Sequence, residues 1–251
     1  MIDFVIPCHP KDFPSLQLCV DGIRNISCAN KVFVISYEDP DIEGIVHVDE
    51  KKFEKYISRE KIHENLERYA PNLLIRTKWI YQQFLKLYSG KVIENLTDSY
   101  VLVDSDTIFL RDISFDTEKF YYCRAREYHE QYIHPIKKIF GIEETIGFST
   151  ICHHMIFNKK LMDELHENVK SRFDSDSFFD SVLSILDYTQ ASCMSEWDIY
   201  SNYIILNHPK KAENRQLFWE DIPFIPTKNQ LEVFKTKYDF VSCHAYKRGI
   251  R

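Results

Sequence analysis

Short apolar runs and helically spaced apolar stripes take turns along the first part of this chain. The apolar runs 2–6, 31–36 (KVFVIS), 45–48 and 100–103 carry almost no polar alternation, which is the pattern of strands buried on both faces. Between the first two, Leu16, Val20 and Ile23 share one face of a helix predicted over 14–25. A second helix is predicted over 72–88, where Leu73, Ile80, Phe84 and Leu87 form the apolar stripe and Lys78 and Gln82 lie together on a different face. Buried strands alternating with helices build a mainly parallel central sheet flanked by helices, an α/β fold.

Beyond the fourth strand the pattern becomes longer and less regular. Strands are predicted at 120–125, 149–158 and 240–243, and helices at 159–169, 178–187 and 196–206. The stretch 127–149, with His, Tyr, Gln and Gly residues, reads as an irregular lid or acceptor loop. The chain closes on the basic tail HAYKRGIR.

Composition narrows the picture. The 251 residues contain no linker-like tract, so a single domain is expected, burying roughly 70–75% of the unfolded chain's surface. Net charge is −6 with both signs interspersed, which argues against nucleic acid and anionic lipid as partners. The seven cysteines are scattered without a CxxC pair, which fits reduced, buried thiols in the cytoplasm better than disulfides or zinc. The sequons at Asn25 and Asn95 carry no weight there. The apolar start is too short for a signal sequence or a membrane span.

The strongest chemical signal is YVLVDSDTIFL, in which an apolar run ends in Asp104-Ser105-Asp106. Carboxylates at the C-terminal end of a buried strand sit where open α/β sheets bind ligands. Two residues apart on extended backbone, they would point the same way and address one cation. Oxygen ligands without a nearby thiolate select Mg2+ or Mn2+. An Asp-Ser-Asp turn would also place acidic residues here without any metal.

YVLVDSDTIFL resembles the DxD motif of the GT-A glycosyltransferases, which follows a hydrophobic strand. With VIPCHPKD, WIYQQFLKL, HHMIFN and SEWDIYSNY in that order, nearly the whole chain is similar to a family of bacterial and large-DNA-virus proteins assigned as glycosyltransferases. The resemblance implies a Rossmann-like GT-A fold, with residues 1–110 as a nucleotide-binding half and 111–251 as an acceptor-binding half. It implies transfer of a sugar, by inversion, from a nucleotide-sugar donor such as a UDP-sugar to a glycan or other hydroxyl acceptor.

By the same resemblance Asp104, Asp106 and His244 would hold the metal, and Pro7, Cys8 and His9 would border the base and ribose. Arg76, Lys78, Gln82 and Ser105 are further nucleotide contacts, and Lys247 and Arg248 a phosphate clamp. Glu196 and Asp198, at a helix start capped by Ser195, are candidates for the general base, although acidic residues in a first turn also stabilise helices through the macrodipole. One of His153 and His154 would touch sugar or acceptor, since neighbours on a strand face opposite ways. Two alternatives stay open. A sugar-nucleotide nucleotidyltransferase also uses paired carboxylates, but only 6 glycines are present and no Gly-rich loop marks the N-terminus; a noncatalytic sugar-nucleotide-binding protein would keep the fold without turnover.

Overall fold

The computed structural model describes residues 1–126 and 128–249. In chain order its elements are β1 (Ile2–Pro7), α1 (Phe13–Arg24), β2 (Ala29–Ser36), β3 (Val46–Asp49), α2 (Arg59–Tyr69), α3 (Thr77–Val92), β4 (Ser99–Val103), β5 (Thr107–Phe109) and β6 (Phe120–Tyr122). There follow α4 (Glu130–Phe140), β7 (His154–Asn158), α5 (Lys159–Arg172), α6 (Phe178–Leu183), α7 (Glu196–Asn207), β8 (Ala212–Asn214), β9 (Trp219–Asp221), α8 (Lys228–Lys235) and β10 (Phe240–Ser242).

The central sheet has the order β3-β2-β1-β4-β7. Its first four strands run parallel and β7 runs antiparallel to β4. Every residue of β1 and β4 is buried, which explains why their sequences are apolar without alternation. The exception in β1, Asp3, is satisfied by the Asn30 side chain and by the amides of Lys31 and Thr97. From β1 the chain winds outward to β3 and then returns to β4 on the other side of β1. Strand order therefore reverses between β1 and β4, and crevices form at the carboxyl ends of strands at such a point.

A second sheet, β5-β10-β9, pairs β5 antiparallel and β9 parallel to β10. It is seated against α1 at Gly22, where an added Cβ would lie 2.8 Å from the main-chain N and O of Phe109. No larger residue fits that contact without displacing β5.

Several expectations change. The stretch 127–149 is not an irregular lid throughout: α4 occupies its middle, burying Tyr132, Ile136 and Ile139 at helical spacing and ending at Gly141 with φ 64°. Pro135 inside that helix obscured the pattern, and Glu127 lies outside the described residues. β7 starts only at His154, because His153 turns into the left-handed region with φ 61°. The helix expected over 178–187 stops at Leu183, and the one expected over 72–88 begins with a 3-10 turn at Pro71–Arg76. α2, α8, β8 and β9 were not anticipated. Among the described residues no helix is long and apolar enough to cross a membrane, and all seven cysteines are free thiols.

Candidate active site

β4 and β7 deliver the first carboxylate. Just past the ladder rung that pairs Val103 with His154, the Asp104 amide donates to the His153 carbonyl at 2.9 Å. The chain then turns: the Thr107 amide donates back to the Asp104 carbonyl at 3.0 Å. Asp104 and Asp106 thus sit on a turn into β5 and not two apart on extended backbone, so their convergence comes from the turn and the strands around it.

The second sheet delivers the other acids and bases. Asp106 precedes β5, His244 follows β10, and Asp221 ends β9 in register with Ser242. The Cys243 amide donates to the Asp106 carbonyl at 2.9 Å, clipping the β10 exit to the turn. Five side chains now form a continuous path. Asp104 Oδ2 lies 3.6 Å from His153 Nδ1, and His153 Nε2 lies 3.5 Å from Asp221 Oδ1. Asp221 Oδ1 lies 3.7 Å from His244 Nε2, and His244 Nδ1 lies 3.0 Å from Asp106 Oδ2.

Asp106 Oδ1, Asp221 Oδ1 and His244 Nε2 are buried without a hydrogen bond, the last two having only the longer charge contacts just given. Each such group costs about 1–3 kcal/mol when left unsatisfied, so three in one place mark a site built for something they can coordinate. His153, Asp221 and His244 each offer a ligand atom within 4.8 Å of one another. Carboxylate oxygens with imidazole nitrogens and no thiolate fit Mn2+ better than Mg2+, which takes oxygen ligands almost exclusively. The residues therefore fit a divalent cation.

Charge is balanced from behind by Lys86 on α3. Its ammonium is buried, lies 2.5 Å from Asp104 Oδ1, bonds Glu196, and stands 4.3 Å from the Trp197 ring centroid. Burial works against the Asp104 charge, but Lys86 and His153 outweigh it and hold that carboxyl well below the usual range. Burial likewise opposes the His153 charge, yet Asp104 and Asp221 raise its pKa to about 9. For Glu196 burial wins and the pKa rises despite Lys86.

These groups line a cleft of about 1660 Å3, roomy enough for two substrates where single ligand pockets run to roughly 1,000 Å3. Pro7, Cys8, His9, Arg76, Lys78, Gln82, Ser105, Glu196 and Lys247 all border it, as do Asp104, Asp106, His153 and His244. His9 Nε2 lies 3.3 Å from Lys78 Nζ, and burial followed by that charge lowers its pKa. Gln82 donates to the Pro7 carbonyl, tying α3 to the loop after β1. Lys247 already holds Asp221 at 2.7 Å.

Three expected residues lie elsewhere. The Asp198 carboxylate is buried and fully engaged by Ser149 and Thr150, bracing the segment before β7. His154 packs edge-on against Phe109 and Phe240, and burial lowers its pKa to about 3, so it is a neutral core side chain. Arg248 pairs with Asp12 at 3.1 Å instead of facing the cleft. Conversely, Lys86 and Asp221 escaped the sequence reading. Lys86 follows Lys78 and Gln82 at steps of four residues, a polar line through an apolar helix that was available as a signal. Asp221 offered none.

Residues 22–230 match the model of a family of unknown function, DUF6492. The chain belongs to that family. No curated protein sequence matches this DUF6492 member. Among solved structures it is similar to mouse xyloside xylosyltransferase 1, with TM-score 0.52 and 11% identity over 98% of this chain and 99% of that one. It is also similar to an active-site variant of LgtC, with TM-score 0.51 and 11% identity over 96% of this chain and 87% of that one. LgtC is a galactosyltransferase that has also been solved with donor and acceptor sugar analogues. At such identity these likenesses establish the fold, which is the GT-A fold.

Proposed function

We propose that this DUF6492 member is a metal-dependent glycosyltransferase that moves a sugar from a nucleotide-sugar donor, a UDP-sugar first among candidates, to a hydroxyl of a glycan acceptor in the cytoplasm. The observation that carries the reading is the set of three unsatisfied buried polar atoms on Asp106, Asp221 and His244, beside Asp104 and His153, at the strand-order reversal of a GT-A sheet. Asp104, Asp106 and His244 would hold Mn2+ or Mg2+, with His153 and Asp221 completing the shell. When bound, the cation supplies Lewis-acid stabilisation of the departing diphosphate.

The chain's own residues do the remainder. Pro7, Cys8 and His9 border the base and ribose, while Lys78 and Gln82 present polar groups from α3 and Arg76 from the 3-10 turn before it. Lys247 offers an ammonium to phosphate oxygens. Lys86 keeps Asp104 ionised and positioned. Of the two candidates for general base, Glu196 alone borders the cleft, and burial raises its pKa from the ordinary carboxylate value, the direction in which a general base is tuned. Inverting transfer with Glu196 as base requires its free oxygen to reach the acceptor hydroxyl while the other stays on Lys86.

Titration calorimetry with UDP and Mn2+, comparing the parent with Asp106→Ala, tests the site. Metal-dependent binding lost in the variant supports it, and equal binding in both sinks it. A panel of nucleotide sugars screened by thermal shift with Mn2+ identifies the donor, the donor-hydrolysis rate separates an enzyme from a binder, and the product anomer by NMR gives the stereochemistry.

A further inference from the structure

Beside the main cleft lies a second cavity of about 410 Å3, and Ile151 and His153 belong to the walls of both. Its chemistry is different. Three arginines border it, Arg124, Arg126 and Arg215, together with Asn214 and Gln216. Among the described residues none of the three arginines is in an ion pair. Arg124 is laid over the Phe148 ring at 4.5 Å, and Arg215 over Phe115 and Tyr121 at 5.1 and 4.9 Å. Arg215 Nη1 donates to the Ser114 carbonyl at 2.6 Å, while its Nε is buried without a partner.

Two carboxylates are present, but neither answers these charges. Asp221 is engaged by Lys247 and the two histidines, and Glu220 lies 3.5 Å from the Tyr238 hydroxyl. Stacking on aromatic rings holds a guanidinium plane in place while leaving its N–H edges open, the arrangement suited to bidentate contact with carboxylate or phosphate oxygens. A concave site bordered by three arginines outside any ion pair among the described residues, two of them laid on aromatic rings, with one buried donor left without a partner, selects an anion.

We infer that this cavity is a subsite for an anionic group, carboxylate or phosphate, on the sugar acceptor, docked across the Ile151 and His153 wall from the reacting hydroxyl. The word acceptor rests on the transferase reading above; the anion site itself does not. The acceptor class is then an acidic glycan, one bearing a uronate or a sugar phosphate, and a neutral oligosaccharide is a poor substrate.

The test measures binding of glucuronate, glucose 6-phosphate and glucose to the full chain by ligand-observed NMR. The parent protein is compared with Arg124→Gln/Arg126→Gln, whose side chains are exposed and whose loss leaves the fold intact. UDP and Mn2+ binding is measured on both in parallel. At least one anionic sugar is expected to bind about tenfold or more tightly than glucose, with the preference abolished in the double variant and nucleotide affinity unchanged. Comparison of the two anionic sugars tells carboxylate from phosphate. Equal binding of all three sugars, or a preference that survives the double variant, overturns the subsite. If the arginine-dependent preference is found but UDP and Mn2+ do not bind, the subsite stands and the transferase reading falls.

Discussion

His153 and Asp104 are joined at two levels: the Asp104 amide donates to the His153 carbonyl at 2.9 Å, and the His153 ring reaches back to the Asp104 carboxylate at 3.6 Å. The left-handed backbone of His153, φ 61°, makes both contacts possible, since a strand residue there would have sent its ring to the other face. Non-glycine residues adopt that region at a cost, and such strain concentrates at functional sites.

Replacing His153 by Gly and by Ala separates backbone from ring. Both variants lose the imidazole, but only Gly takes φ 61° freely, so His153→Gly is expected to be more stable than His153→Ala by about 1–2 kcal/mol in urea unfolding. Both should bind Mn2+ more weakly than the parent by roughly 10–100-fold. Equal stabilities would mean the conformation is unstrained.

Asp106→Ala removes a carboxylate whose Oδ1 has no partner and whose Oδ2 faces His244 Nδ1 at 3.0 Å. Without metal the two effects oppose each other, and the net change in stability is expected to stay within about 1 kcal/mol. The parent's gain in melting temperature on adding Mn2+ should vanish in the variant. A variant that keeps that gain would show the cation binding without Asp106.

Lys86 answers two buried carboxylates at once. Lys86→Met leaves Glu196 without a counter-charge and Asp104 with His153 alone, and a loss of about 3–5 kcal/mol is expected. Adding Glu196→Gln should return part of it, because one uncompensated charge is then gone. Chemical denaturation of the single and double variants checks this, and strict additivity would contradict a shared ion pair.

His166 contributes, with His154, to the acid limb of the stability curve. It is stacked on Phe178 at 4.0 Å, and burial lowers its pKa to about 3 from an unfolded value near 6.5. Between those values the unfolded chain binds a proton that the folded one does not, so this residue's contribution is complete above pH 6.5 and is lost as pH falls toward 3. The expected slope is about 1.4 kcal/mol per pH unit in that window. His166→Phe should remove this residue's share of the slope and leave that of His154, whose pKa burial also lowers to about 3, as read from urea midpoints between pH 7 and pH 4.5.

Much of this molecule is written locally. The apolar runs that become β1, β4 and the second half of β2 are visible because strands buried on both faces have no reason to alternate, whereas β3 at the sheet edge buries only Val48. The end of β4 announces Asp104 and Asp106 because two acids abruptly stop such a run. The polar line of Lys78 and Gln82 follows from helix period alone, and extending it by one step reaches Lys86.

What the chain order does not contain is which distant ends meet. Asp221 comes to the site only because β9 pairs parallel with β10, and His244 only because β10 pairs antiparallel with β5. His153 and His154 look alike in sequence, yet one backbone torsion sends the first to the carboxylates and packs the second among phenylalanines. Asp198 reads as a candidate base but folds as a brace. Local pattern reports period and burial, which depend on neighbours along the chain. Ligand geometry depends on long-range strand pairing, and only the folded sheet determines that.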